Sequence, residues 1–212
     1  RTDASSRFGA DHRWGMFWSL GFMWNIKNEA FLKDIEWLTS AQVKLSTGTS
    51  GNSEIPYYDH LALVSGDANY NDEAGIYPSQ SGNEELSWEQ TWANNVGVSF
   101  GLYNRVNVNV DFYHKKTTNM LMLVPQSYAI TGVGNRWDNI GAMMNRGVEI
   151  AIDGDVIRTK DFTWNLSANV SYNKNKLLEL YNGVEEYVNS TTGLKYVVGH
   201  SVREYFMNRY AG

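Results

Sequence analysis

The chain offers few residues arranged for covalent or metal chemistry. Its four histidines, His12, His60, His114 and His200, have no metal-ligand spacing among them and read as ordinary surface or lumen residues. No Ser/His/Asp set stands in its expected context, and no glycine-rich phosphate loop opens a helix; Gly132 and Gly134 mark a turn. Cysteine is absent, which removes disulfides and thiolate metal sites. The run Asp67-Ala68-Asn69-Tyr70-Asn71-Asp72-Glu73 places oxygen ligands at alternate positions, like the start of a calcium loop. Asp72, however, stands where that loop needs glycine, and Pro78 stands where it needs a bidentate glutamate, so a solvated loop is the better reading. No enzyme activity, cofactor or metal is expected.

Recognition by aromatic stacking is the better lead. Tyr57, Tyr58, Tyr70, Tyr77, Tyr128 and Trp137 fall in two long segments between patterned stretches. Their rings suit stacking on a sugar, although loop packing or a wet interface is the favoured reading for each taken alone, because Tyr and Trp combine an apolar body with a polar tip.

The elements that would position these residues follow a period of two. In Arg13 to Ile26, the residues Trp14, Met16, Trp18, Leu20, Phe22, Trp24 and Ile26 share one face, with Gly15, Phe17, Ser19, Gly21, Met23 and Asn25 on the other. Alternation of this kind is the mark of a strand. It recurs at about residues 37–49, 86–102, 106–119, 143–153 and 161–173. The pattern predicts an all-β fold, an antiparallel meander of about six strands. Arg1 to His12 reads as a polar loop, Glu29 to Lys33 as one helical turn, and Tyr103-Asn104-Arg105 as a tight turn. Segments 50–85 and 120–140 read as long loops. Leu177, Leu178 and Leu180 suggest a short helix or an anchored loop, and Tyr196-Val197-Val198 one more short strand.

A face of large apolar residues needs an apolar medium. Ten residues at about 3.3 Å rise, tilted by about 40°, span about 25 Å, the height of the apolar band of an outer-membrane barrel. Short and long connections alternate, as turns and loops do at the two rims of such a barrel. The opposite face carries Asn, Ser, Thr and Gly with few lysines, where a soluble surface carries more charge. All three prolines lie in loops. No run of about 18 apolar residues is present, so no transmembrane helix is expected, and this does not weigh against a barrel. The net charge of −5 and the lack of a basic run give no footprint for nucleic acid.

The motifs resemble the SusC/RagA family of TonB-dependent outer-membrane transporters. The resemblance is carried by RTDASSRFG (residues 1–9), RWGMFWSLGFMWNI (13–26), TSGN (49–52), LSWEQTWANNVGV (86–98), VDFYHKKTTNML (110–121), NIGAMMNRGVEI (139–150) and DFTWNLSANVSYNKNKLLEL (161–180). It implies part of a large transmembrane β-barrel of about 22 strands, from the C-terminal half, with the signal peptide, TonB box and plug of the family outside these residues. It implies active import of glycan or peptide oligomers with a SusD-like lipoprotein lid and the TonB complex. It places the protein in the outer membrane of a Gram-negative bacterium, against membrane lipid. Two alternatives of other classes are a soluble carbohydrate-binding β-sandwich and a passive porin or adhesin barrel. On the barrel reading, Trp18, Leu20, Phe22, Val96, Val98, Val108, Val110, Ile150, Leu166 and Val170 face lipid. Asn95, Asn107, Asn109, Glu149, Asn165 and Asn169 face the lumen, and segments 50–85 and 120–140 are extracellular.

Overall fold

The computed structural model describes residues 1–188, 193–202, 204–207 and 210. Its strands are β1 (Thr2–Ala4), β2 (Trp14–Met16), β3 (Ser19–Asn25), β4 (Leu38–Asn52), β5 (Leu63–Tyr70), β6 (Glu73–Gln80) and β7 (Glu89–Leu102). They continue with β8 (Val106–Thr118), β9 (Leu121–Pro125), β10 (Asn135–Asn139), β11 (Ala142–Arg158), β12 (Thr163–Glu179), β13 (Glu186–Val188) and β14 (Lys195–Val197). A single helical turn, α1 (Tyr128–Thr131), interrupts the hairpin of β9 and β10.

The six expected strands form one antiparallel six-stranded sheet in the order β3-β4-β7-β8-β11-β12. Its register aligns the alternation of every strand. Trp24, Val43, Val98, Val110, Ile150 and Val170 make one row across all six strands, and Phe22, Leu45, Val96, Phe112, Val148 and Tyr172 make another. A slip of one residue would mix these rows with polar ones, so the apolar face itself pins the register. The connection at Tyr103 and Asn104 fixes it locally. Both residues have positive φ, 54° and 52°, and Arg105 N–H donates to Leu102 O at 2.9 Å, as in a type I′ hairpin turn.

No second sheet covers the apolar face among the described residues, and Leu166 and Val170 are 56% and 66% exposed on it. A soluble sandwich requires a facing sheet about 10 Å away, and the described strands supply none. The buried core lies at one rim instead. Phe8, Ile55 and Leu86 form it, with Trp88, Leu121 and Trp137 packed against them.

Several sequence expectations need correction. The stretch 14–26 is two strands: β2 pairs with β1 in a small separate sheet, and only β3 joins the large one. Phe17 sits at the break and is buried, its ring lying edge-on to Trp88 at 5.3 Å. The ring fills space over Gly51, where a Cβ would collide with it, so the chain turns this one aromatic inward. Residues 1–12 are not a plain polar loop, since they hold β1 and the buried Phe8. Segment 50–85 is mostly the hairpin β5–β6, and segment 120–140 is the hairpin β9–α1–β10, so Pro78 and Pro125 lie in two-stranded hairpins and only Pro56 lies in a loop. Leu86 precedes β7 and is buried. Strand β11 extends to Arg158, so its turn shrinks to 159–162. Strand β12 continues through Leu177 and Leu178 to Glu179, so these leucines belong neither to a helix nor to a loop. The turn near Glu29 is present, closed by Lys33 N–H to Glu29 O at 2.9 Å, and the short strand near Tyr196 is β14.

Candidate functional site

Along each strand the residues between the apolar ones point to the opposite face, and there they build a polar wall. One row reads Met23, Lys44, Gly97, Asp111, Glu149 and Ser171; the next reads Gly21, Ser46, Asn95, Tyr113, Gly147 and Asn173. Asn107, Asn109, Asn165 and Asn169 share this face, as expected from their position in the alternation. Short side chains bond directly across strands. Asn95 Nδ2 donates to Ser46 Oγ at 3.1 Å, Asn107 Nδ2 to Asp153 Oδ2 at 3.0 Å, and Asn175 Nδ2 to Asn145 Oδ1 at 2.8 Å. Such cross-strand pairs stabilise the sheet and hold each amide in one orientation.

Between these pairs lies a trough of about 630 Å³. Lys44, Asp111, Tyr113, Lys115 and Glu149 line it together with the amides. Tyr113 crosses Gly147 to donate its hydroxyl proton to Asn173 Oδ1 at 3.0 Å, and Lys115 Nζ stands 5.6 Å from the Tyr113 ring centre. Among the described residues, none of Lys44, Lys115, Asp111 and Glu149 is held in an ion pair. Their charges are therefore available to a molecule lying on the wall. Glu149 was expected here; the grouping of Lys44, Asp111, Tyr113 and Lys115 was not. Together with Glu149 they lie on three strands, β4, β8 and β11, and only the register brings them together.

The hairpins gather at the rim where β4, β8 and β12 end, and the tight turns 103–105 and 159–162 occupy the opposite rim. In β5–β6 the turn residues Asn71 and Asp72 have positive φ, 52° and 63°, so the calcium-like run is a two-residue hairpin. Asp67 accepts a hydrogen bond from Ser65 Oγ at 2.7 Å, which with a bond from Tyr77 lowers its pKa below the ordinary value.

The hairpins separate the six candidate aromatics. Trp137 is packing: it lies against the Phe8 cluster. It also lines a recess of about 240 Å³ with Asp59, Gln80, Leu123 and Arg136. Burial raises the pKa of Asp59, and a hydrogen bond from Trp137 pulls it partly back. Tyr57 is exposed, with the Arg7 guanidinium 4.8 Å from its ring centre. Tyr58, Tyr77 and Tyr128 are exposed on the two hairpin segments. The side chain of Tyr70 falls outside the described residues. No stacked pair forms among the described members of the set. The histidines divide similarly: His60 is buried, which its surface reading missed, whereas His200 Nδ1 meets Glu204 Oε2 at 2.9 Å.

An uncovered apolar face, a polar opposite face and hairpins at one rim define a wall segment of a large transmembrane barrel. The family model for the TonB dependent receptor-like β-barrel matches residues 1–208, and the chain belongs to that family. It is 39% identical over 181 residues to TonB-dependent receptor P39 of Formosa agariphila, covering 85% of this chain and 17% of that protein. It is 36% identical over 195 residues to TonB-dependent receptor SusC of Bacteroides thetaiotaomicron, covering 86% and 19% respectively. The RagAB peptide importer in its closed-closed state superposes with a TM-score of 0.86 at 38% identity, over 94% of this chain and 22% of that one. The chain thus spans about a fifth of the length of these relatives.

Proposed function

We propose that this chain is a wall segment of an outer-membrane, TonB-dependent active importer of peptide or glycan oligomers that works with a SusD-like lipoprotein lid. The observation that carries the reading is the two-faced sheet. Its apolar rows are uncovered, while its opposite face holds the polar trough. The similarity to SusC and to the RagAB peptide importer supports the activity. The TonB complex would act through parts of the protein outside this segment. The hairpins β5–β6 and β9–β10 would stand on the extracellular side, where the exposed tyrosines meet substrate or lid. Free charges of both signs beside amides suit a polar oligomer crossing the lumen.

The test uses the full-length parent transporter in cells. Lys44→Gln, Asp111→Asn, Lys115→Gln and Glu149→Gln are combined, and uptake of a labelled oligopeptide pool and a labelled oligosaccharide pool is followed. Loss of one uptake with normal barrel assembly supports the reading and names the substrate class. Passage of both pools unchanged after TonB is deleted would instead indicate a passive pore.

A further inference from the structure

The apolar face does not run unchanged to the hairpin rim. Along β12 its outward residues are Trp164, Leu166, Ala168, Val170 and Tyr172, followed by Lys174 and Lys176. The register shows that neighbouring strands change in the same place. The row above Tyr172 reads Leu20, Thr47, Asn94, His114, Arg146 and Lys174, and the next includes Thr49, Trp92, Lys116, Met144 and Lys176. Four permanent cations and a histidine therefore share a small patch, and neither row contains a carboxylate. Each row lies about 6.6 Å further along the strand, or about 5 Å in height for a tilted strand. If the band ending at Tyr172 spans the hydrocarbon, the first row stands within the headgroup layer, about 5–8 Å deep on each side, and the second at its outer edge, about 10 Å up.

Partners are unevenly shared among the cations at the rims. At the turn rim, Lys27 Nζ donates to the carbonyls of Leu32, Lys33 and Ile35, and Arg158 pairs with Asp155 at 3.6 Å. At the hairpin rim, none of Lys116, Arg146, Lys174 and Lys176 has an ion-pair or hydrogen-bond partner among the described residues. Arg146 and Lys174 occupy paired positions on β11 and β12, and Trp92 is paired with Lys116 at the edge of the aromatic band.

We propose that this outward basic patch binds the phosphorylated headgroup of an anionic lipid in the leaflet on the hairpin side. The patch supplies unpaired positive charge at headgroup depth, with an aromatic and aliphatic band beneath it for the acyl chains. Arg146 offers the forked donor geometry that suits phosphate, and the lysines supply point charges around it. The proposal rests on the apolar face lying in lipid; it is independent of which leaflet the hairpins reach.

The test is lipid retention by the full-length parent transporter. The protein is reconstituted in phosphatidylethanolamine vesicles with monophosphoryl lipid A in both leaflets, and co-purifying lipid A is counted by native mass spectrometry. Each cation near an anionic surface changes affinity by roughly fivefold, so K116Q/R146Q/K174Q/K176Q should lower retention by more than about tenfold. The set K116R/K174R/K176R should retain lipid A, as should the opposite-face control K44Q/K115Q. The single variant K174E provides the same reading in a less altered barrel. Equal retention by wild type, the quadruple variant and K174E would overturn the proposal. So would an equal loss in K44Q/K115Q, which would mark a general field effect, or displacement by inorganic phosphate at matched concentration, which would mark a soluble-anion site. Uptake by wild-type protein is measured separately, so failure of the importer reading and failure of lipid binding are distinguishable.

Discussion

Tyr113 and Asn173 are joined across an intervening strand. The phenol of Tyr113, on β8, lies over Gly147 of β11 and donates to Asn173 Oδ1 on β12 at 3.0 Å. The bond ties three strands together on the wall that faces the trough. Any side chain at position 147 would meet the ring. Gly147→Val should therefore destabilise the full-length barrel by about 1–3 kcal/mol through overpacking. Tyr113→Phe, which removes only the exposed hydrogen bond, should cost about 0.5–1 kcal/mol. Urea unfolding in bilayers measures both, and equal effects of the two would show that the ring does not depend on the open space at Gly147.

The outward rows make a second prediction. Val98 lies in the row that crosses all six strands, and Leu166 lies on the same face nearer the turn rim. Val98→Arg or Leu166→Arg should each cost roughly 2–4 kcal/mol where the position is close to the bilayer midplane. Asn109→Arg, on the trough side, should cost much less. Unchanged folding free energies for both outward variants in the full-length protein would remove lipid from that face.

These faces were legible in the sequence because each strand of the sheet separates an apolar medium from a polar one. A period-two pattern appears only where the two faces differ. Hairpin β5–β6 is mostly exposed on both sides, so Leu63 to Gln80 shows no alternation and reads as loop. Its turn at Asn71-Asp72 was visible only as an acidic run. Phe17 broke the pattern for the opposite reason: the burial of one aromatic depends on empty space at Gly51, far away in sequence. The trough was half legible. Asn95 and Glu149 lie on the expected polar face, but the meeting of Lys44, Asp111 and Glu149 follows from interstrand register. Trp137 could not be told from a binding aromatic, because its partner Asp59 belongs to a different hairpin segment.

Asp59 carries a pH prediction. Burial raises its folded pKa above the ordinary 3.8, so the folded state holds its proton more tightly than the unfolded state. Its contribution to stability is then greatest below about pH 4 and declines as pH rises through the raised folded value. The group is only partly buried, so the effect is small and local. Amide hydrogen exchange in β9–β10 should speed up across that window relative to an Asp59→Asn variant, which lacks the titration. Parallel exchange profiles in the two proteins would show that Asp59 does not couple to the hairpin.

Orientation and the aromatic lead are tested together. Ser65 lies on β5 among the hairpins, and Asn104 lies in the tight turn at the opposite rim. Single cysteines at these positions in the full-length transporter, treated in intact cells with a membrane-impermeant reagent, should be modified at 65 and spared at 104. Modification at 104 alone would invert the barrel and leave the exposed tyrosines on the periplasmic side. With the orientation established, the six aromatics divide by structure. Trp137→Ala removes a ring packed on the Phe8 cluster and should destabilise the hairpin region. Tyr57, Tyr58 and Tyr128 present exposed rings, and each one that stacks on substrate or lid should weaken binding by about 0.5–1.5 kcal/mol when changed to alanine. Binding of the parent transporter to labelled oligomer and to its lid protein measures these losses. If the triple tyrosine variant binds both as wild type does, the rings serve the rim's own packing, and recognition belongs to the trough around Tyr113.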